Sequence, residues 1–228
     1  MAHTAKKIWI VVAAYNEGSA IAEVVRSVLE RGYQIVVVDD GSSDDTRRRA
    51  HEAGAWTLRH TINLGQGAAL QTGMTFALEN DADSVVTFDA DGQHDANEIA
   101  DMLRTLEEKN VDIVFGSRFL GGTKNMPFMK GLVLKAAVIF SNLTSGVKLT
   151  DTHNGFRALS KNALQKIELR RNRMAHASEF IEQTARLRLA WAECPVHITY
   201  TEYSTVKGQR LTGAFEILKD LLIGKLTK

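Results

Sequence analysis

Short β-branched runs alternate with helical patterns through the first half of this chain, and that alternation restricts the folds open to it more than any other feature. Ile8–Ala14 reads as a strand, and residues 18–31 follow with Ile21, Val24, Val25, Val28 and Leu29 at helical spacing. Residues 34–38 read as the next strand and 44–53 as a helix, with Ser42 or Ser43 available as its N-cap. Trp56–Arg59 reads as a short strand, 67–78 as a helix and 84–88 as a strand. A helix over 95–109 opens on acidic residues, which suits its macrodipole, and a strand over 111–115 follows. Strands and helices in this order predict an α/β fold, a mainly parallel sheet covered by helices on both faces.

The second half is less regular. Helices are expected over 130–145, 161–168 and about 178–190, with a polar segment over 150–157, a strand over 195–200 and a closing amphipathic helix over 213–225. Two prolines and no low-complexity linker predict a single domain over 1–228, and 44% hydrophobic residues suffice for one sizeable core. Basic and acidic side chains number 28 and 27, so bulk charge gives no reason to expect a nucleic-acid partner. Cys194 is the sole cysteine, so no intrachain disulfide forms and a reducing, cytoplasmic compartment fits. Lys6-Lys7 before residues 8–14 has a trace of a signal peptide, but an apolar run that short, leading into Tyr15-Asn16-Glu17, reads as a buried first strand. No run approaches the roughly 20 apolar residues of a transmembrane helix.

The early strands end in polar clusters: Tyr15-Asn16-Glu17, Asp39-Asp40-Gly41-Ser42 and Asp89-Ala90-Asp91. In a parallel sheet these ends share the carboxyl edge, where open α/β sheets bind ligands. Asp89 and Asp91 are hard oxygen ligands of the kind that suits Mg²⁺ or Mn²⁺ and, with the ion, a phosphate. A lone Asp-x-Asp is common in surface turns, but three carboxylate-bearing ends on one edge argue for a polar, cation-holding ligand. Asn63-Leu64-Gly65-Gln66-Gly67 precedes a helix, where glycines permit close backbone approach and N–H groups can face anionic or polar groups. It is not Gly-x-Gly-x-x-Gly, and no Gly-Lys-Ser/Thr is present, which disfavours a dinucleotide site and a P-loop.

Six blocks then carry a family resemblance. Val12-Ala13-Ala14-Tyr15-Asn16-Glu17, the run from Val37 to Thr46, Asn63-Leu64-Gly65-Gln66-Gly67-Ala68, Asp89-Ala90-Asp91-Gly92-Gln93-His94, Gly116-Ser117-Arg118-Phe119 and Asp151-Thr152-His153-Asn154-Gly155-Phe156-Arg157 resemble, in order, the GT-A family 2 glycosyltransferases. The resemblance covers about residues 8–207 and is strongest to the dolichol- and polyprenyl-phosphate sugar synthases. It implies a Rossmann-like GT-A domain with a nucleotide-sugar half over about 1–120, an acceptor half over about 121–210 and a C-terminal amphipathic helix over about 212–228. It implies a metal-dependent, inverting transfer from a GDP- or UDP-linked sugar to a polyprenyl phosphate.

The resemblance also assigns roles. Ala14, Tyr15, Glu17, Asp39, Asp40, Gly67, Asp89, Ala90 and Asp91 match nucleotide-sugar positions, with Asp39 and Asp40 at the nucleoside. Asp89 and Asp91 match the metal and diphosphate motif. Gln93 matches a further metal position, or is a turn residue at a helix start. Arg118, Lys130, Arg157 and Lys207 are the acceptor-phosphate set, with Arg157 serving either a phosphate or a structural ion pair. Lys130 and Tyr203 stand where arginine is common in that branch.

The acceptor decides what else is needed. A lipid phosphate brings an anionic oxygen and requires cationic positioning more than a base. A saccharide acceptor, as in O-antigen, capsule or other surface glycan assembly, requires a base, for which Asp151 is the leading carboxylate unless it is a turn residue. His176 and Glu179 could share a helix face near the acceptor or belong to a solvated face. A third reading, a non-catalytic nucleotide-sugar-binding subunit of a membrane complex, is opposed by the Asp89/Asp91 pair and Arg118. The apolar, lysine-bearing C-terminus and the apolar segment 126–140 predict a peripheral enzyme at the inner face of the cytoplasmic membrane, recruited by lipid or by a small membrane protein. Association into a homo-oligomer is compatible with the sequence.

Overall fold

The computed structural model describes residues 6–172 and 175–200. A seven-stranded sheet runs through it in the order β3-β2-β1-β4-β6-β5-β7. The strands are β1 (Ile8–Ala14), β2 (Gln34–Asp39), β3 (Trp56–Arg59), β4 (Ser84–Asp89), β5 (Ile113–Lys124), β6 (Arg157–Ser160) and β7 (Trp191–Thr199). The helices are α1 (Ile21–Leu29), α2 (Thr46–Glu52), α3 (Gln66–Glu79), α4 (Ile99–Glu108, after a 3₁₀ turn at Ala96–Glu98), α5 (Phe128–Ser145), α6 (Lys161–Lys166) and α7 (His176–Arg186). The chain beyond Tyr200, with Lys207 and the expected helix over 213–225, lies outside the described residues.

β1 to β4 are parallel neighbours; β1, β2 and β4 are buried on both faces, which is why their sequences are largely continuous apolar runs, while β3 is a partly exposed edge strand. Alternate side chains of β1 feed two cores: Ile10, Val12 and Ala14 join one with α1 and α4, and Trp9 and Val11 join the other with α3, α6 and α7. On the second side α3 lies so close to β1 that a methyl at Gly73 would meet Val11 Cγ1 at 2.4 Å.

The polar segment expected over 150–157 ends instead in a strand. β6 begins at Arg157 and inserts antiparallel between β4 and β5. Its four residues are too few to show a period, and its place is set by partners distant in sequence. β5 runs to Lys124, well past the expected end at residue 115, because after an irregularity between Ser117 and Gly122 it resumes its ladder with β7. That bulge lifts Arg118 out of the ladder toward the carboxyl edge. β7 starts at Trp191, earlier than the expected 195, and Pro195 is tolerated because β7 is an edge strand. Neither Ser42 nor Ser43 caps α2. The Asp44 carboxylate accepts from the Thr46 backbone N–H at 3.0 Å instead.

Candidate active site

The ladder register brings the predicted strand ends together. Ala14 pairs with Asp39 across β1–β2, and Ala13 pairs with Asp89 across β1–β4, so both carboxylates flank the end of β1. The loop after β1 is laced to the loop after β2. The Asn16 N–H donates to Ser42 Oγ (2.9 Å), the Glu17 N–H to Thr46 Oγ1 (2.8 Å) and the Gly18 N–H to Asp44 Oδ2 (3.0 Å). Asn16 has a φ of 53°, which a short amide side chain tolerates. Tyr15 is exposed at this mouth, while Ala14 and Ala90 are buried beside it.

Asp39 and Asp40 are both buried but differ in their partners. Asp39 accepts from the Ser42 N–H (2.9 Å) and lies 3.4 Å from Arg59 Nε. Asp40 accepts from the N–H groups of Leu64 (2.9 Å) and Gly65 (2.7 Å) and contacts His60 Nδ1 at 2.7 Å. The amides ahead of α3 thus receive an anion supplied by the chain itself. Gly67 has a packing explanation too, since a methyl there would lie 2.2 Å from the Arg171 carbonyl oxygen.

Asp89 closes β4. The His94 Nε2–H donates to its Oδ2 at 2.9 Å and Gln66 Nε2 to its Oδ1 at 3.3 Å. His94 is itself wedged between Phe88 and Phe156, with ring centroids at 5.3 and 5.0 Å. Burial pushes the Asp89 carboxyl up, but the His94 hydrogen bond and charge, with Arg157 and His176, outweigh it and hold the pKa below the ordinary value. Asp91 goes the other way: burial, then the charge of Asp89, push it up to about 6. Gly155 passes so near Asp89 that a methyl there would sit 2.3 Å from Oδ1. The Gln93 backbone makes the turn, its N–H donating to Asp91 Oδ1 (3.1 Å) and its carbonyl accepting from Thr199 (3.0 Å). No hydrogen bond engages the Gln93 carboxamide among the described residues.

The other half of the site is cationic. Arg118 is buried, and its backbone N–H and Nε donate to Asp151 Oδ2 at 3.1 and 2.5 Å, while Nη1 donates to the Tyr200 phenol oxygen at 2.8 Å. Burial opposes the Arg118 charge, yet Asp151 and Tyr200 outweigh it and raise its pKa. Asp151 Oδ1 accepts from the His153 N–H at 3.2 Å, so both carboxylate oxygens are engaged. Lys130 Nζ lies 4.4 Å from the centroid of the Tyr200 ring. Burial, then the Arg118 charge, push the Lys130 amino group down, against the pull of Asp91. Arg157 is enclosed, 1% exposed, and stacks on Phe180 at 4.7 Å. Its Nε and Nη1 have no hydrogen-bond partner, and burial pushes its pKa down to about 10 despite the charges of Asp89 and Asp151. No structural ion pair within 4.0 Å forms at Arg157 among the described residues.

Glu179 does not belong to a solvated face. It is buried, and its carboxylate accepts from the backbone N–H groups of Arg170 and Arg171, tying the approach to α7. The sequence reading gave no role to His94, Gln66 or Tyr200. His94 sits inside a quoted motif and could have been found from its imidazole five residues after Asp89. Gln66 also sits inside a quoted block, but Tyr200 had no local signal.

With this geometry in view, the comparisons are specific. Residues 9–168 match the family described as glycosyl transferase family 2. The chain belongs to that family. This glycosyltransferase is 33% identical to the UDP-N-acetylglucosamine–dolichyl-phosphate N-acetylglucosaminyltransferase of Methanococcus voltae, over 98% of both chains. It is 32% identical to the polyprenol monophosphomannose synthase of Mycolicibacterium smegmatis, over 70% of this chain and 64% of that one. Its fold matches glucosyl-3-phosphoglycerate synthase from Mycobacterium tuberculosis, solved with Mn²⁺, UDP-glucose and phosphoglyceric acid, with a TM-score of 0.75 over 97% of this chain and 79% of that one at 18% identity. The GT-A architecture expected from the sequence is thereby borne out.

Proposed function

We propose that this glycosyltransferase moves a sugar from a nucleotide-sugar to a polyprenyl phosphate at a membrane surface, with inversion at the anomeric carbon. The observation that carries the reading is the pairing of Asp151 with Arg118. The leading carboxylate for base catalysis is committed to a guanidinium, and Lys130 stands beside that guanidinium on the Tyr200 ring. A cationic acceptor site with its carboxylate engaged suits an oxygen that is anionic before it arrives. That phosphate oxygen attacks the anomeric carbon as the bond to the nucleoside diphosphate breaks and the diphosphate departs with the electron pair. The relatives named for dolichyl-phosphate and polyprenol acceptors support the same reading.

Mg²⁺ or Mn²⁺ fits at Asp89 and Asp91. Their like charges stand two residues apart, Gln93 offers an uncommitted carboxamide, and hard oxygen donors are what these ions take. Among the described residues no three His, Cys, Asp or Glu side chains converge on one point, so diphosphate oxygens and water would complete the shell. The bound ion would stabilise charge developing on the leaving diphosphate. His94 and Gln66 orient Asp89, Glu17 adds negative charge near Asp91, and Asp39 faces the nucleoside while Asp40 holds the loop beside it.

A lipid acceptor needs a surface to travel on. α5 begins at Phe128, two residues before Lys130, and extends about 27 Å from there. Phe128, Met129, Leu132, Ile139 and Leu143 are exposed along it, Phe128 at 84%. An apolar stripe continuous with the acceptor cations fits the prenyl tail and the bilayer interface. No described helix is long and apolar enough to cross a membrane.

A donor-and-acceptor matrix tests the proposal. UDP-N-acetylglucosamine comes first, because the M. voltae relative aligns along nearly its whole length, followed by UDP-glucose and GDP-mannose. Each is supplied with Mn²⁺ or Mg²⁺, with and without a short polyprenyl phosphate, reading released nucleoside diphosphate and glycolipid mass. Turnover that depends on metal and on lipid phosphate is expected; transfer to saccharides alone would overturn the acceptor class. Co-sedimentation with anionic liposomes tests the surface, where loss of binding in Leu132→Glu/Ile139→Glu is expected and no binding by the unaltered protein would refute direct attachment.

A further inference from the structure

We infer that Tyr200 is a positioning residue for the acceptor phosphate, its phenol oxygen holding Arg118 and its ring holding Lys130 so that the two cations converge on one anion. The inference rests on the polyprenyl-phosphate reading above and names the side chain that organises that site.

Tyr200 follows β7 directly, and its backbone N–H donates to the Lys124 carbonyl at the end of β5 at 3.0 Å. Its place is therefore set by the β5–β7 ladder that resumes after the bulge bearing Arg118. The residue is 3% exposed, so its ring has little freedom to turn away. Arg118 has three anchors: two hydrogen bonds to Asp151 Oδ2 and one to the phenol oxygen. Asp151 neutralises that guanidinium, and the phenol fixes its plane without adding a full charge.

Lys130 differs. Among the described residues no carboxylate lies within ion-pairing distance of it, and a π face takes that place. A cation–π contact orients an ammonium while leaving its charge uncancelled. Burial, then the neighbouring Arg118 charge, disfavour the ammonium, and the Asp91 charge favours it. Two cations held by one aromatic side chain, one of them with no counter-ion among the described residues, form a receptor for a compact anion with several oxygens. A phosphate monoester is that kind of anion, and guanidinium and ammonium groups are its usual partners.

The test measures KM for a short polyprenyl phosphate and KM for the nucleotide-sugar separately. Tyr200→Phe keeps the ring over which Lys130 sits and removes only the oxygen that Arg118 uses. It is expected to raise the acceptor KM about tenfold, the scale of a hydrogen bond to a charged group, with the donor KM within twofold and the melting curve unmoved. Tyr200→Leu removes the ring as well and is expected to reach roughly 100-fold. In an Arg118→Lys background the Tyr200→Phe effect should shrink to about twofold or less, since the phenol then has no guanidinium to hold. An unmoved acceptor KM in Tyr200→Phe, a rise in the donor KM instead, or the full effect persisting beside Arg118→Lys overturns the inference while leaving the acceptor class standing. An unaltered protein that transfers to no polyprenyl phosphate overturns the acceptor reading and this inference together.

Discussion

On the β1–β4 side of the sheet edge, negative side chains are held by the chain's own donors. On the β5–β7 side, positive side chains are held by one carboxylate and one phenol. Asp40 has two backbone N–H groups and His60, Asp39 has Ser42 and Arg59, and Asp89 has His94 and Gln66. Those partners come from loops adjoining parallel strands, so the carboxylate side, the proposed donor site, is built largely from consecutive units. Arg118 takes its partners from Asp151, 33 residues on, and Tyr200, 82 residues on. The cationic side, the proposed acceptor site, therefore depends on how the antiparallel β6 and the edge strand β7 close the sheet. Carboxylate positions can be preset by local turns, whereas two cations can be kept adjacent only by a framework that holds them against repulsion.

The comparison breaks most sharply at Asp91. Asp91→Asn should leave the melting curve in place and lower turnover about 1,000-fold, because stabilisation of the leaving diphosphate is lost. Retained activity in steady-state assays would remove the metal role. Gly155→Ala comes next. Its new methyl would lie 2.3 Å from Asp89 Oδ1, so the carboxylate must move, and turnover should fall about 100-fold with a smaller change in stability. Equal Mn²⁺ affinity in the variant and the parent, measured by calorimetry, would show that Asp89 had not moved.

Asp151→Asn sharpens the acceptor side. As the partner of Arg118 it should cost about tenfold in acceptor KM with the shape of the pH–rate profile retained. A loss of 100-fold or more in kcat with one limb of the profile gone is the behaviour of a general base instead.

The smallest effect is expected at His153. Burial pushes its imidazole below 6.5; Asp151 opposes this, and Arg118 and Arg157 add to it. The unfolded chain then binds the proton first, so the contribution of neutral His153 is complete above about pH 6.5 and is lost as pH falls toward the folded value. Urea midpoints at pH 7.5 and 5.5 should converge more in His153→Gln than in the parent, and identical pH slopes would refute the shift.

Much of the donor side was legible without coordinates. The runs 8–14, 34–38 and 84–88 are strands with both faces covered, and the polar clusters after them meet on one edge because parallel strands leave their carboxyl ends together. Helix limits drifted by a few residues where caps came from an unexpected group, as at Asp44. β6 was hidden because four residues starting on arginine carry no readable period. Glu179 looked like half of a surface pair and is instead a buried anchor for backbone amides.

The order of residues alone settles the parallel α/β architecture, the family and the carboxylate edge, since these follow from local periodicity and from motifs that each span a few consecutive positions. It does not settle that Asp151 belongs to Arg118, that His94 contacts Asp89, that Gly155 leaves room for a carboxylate, or that one tyrosine touches both Arg118 and Lys130. Those relations join residues up to 82 positions apart, and their energies arise only when burial strips away the water that would otherwise satisfy each group.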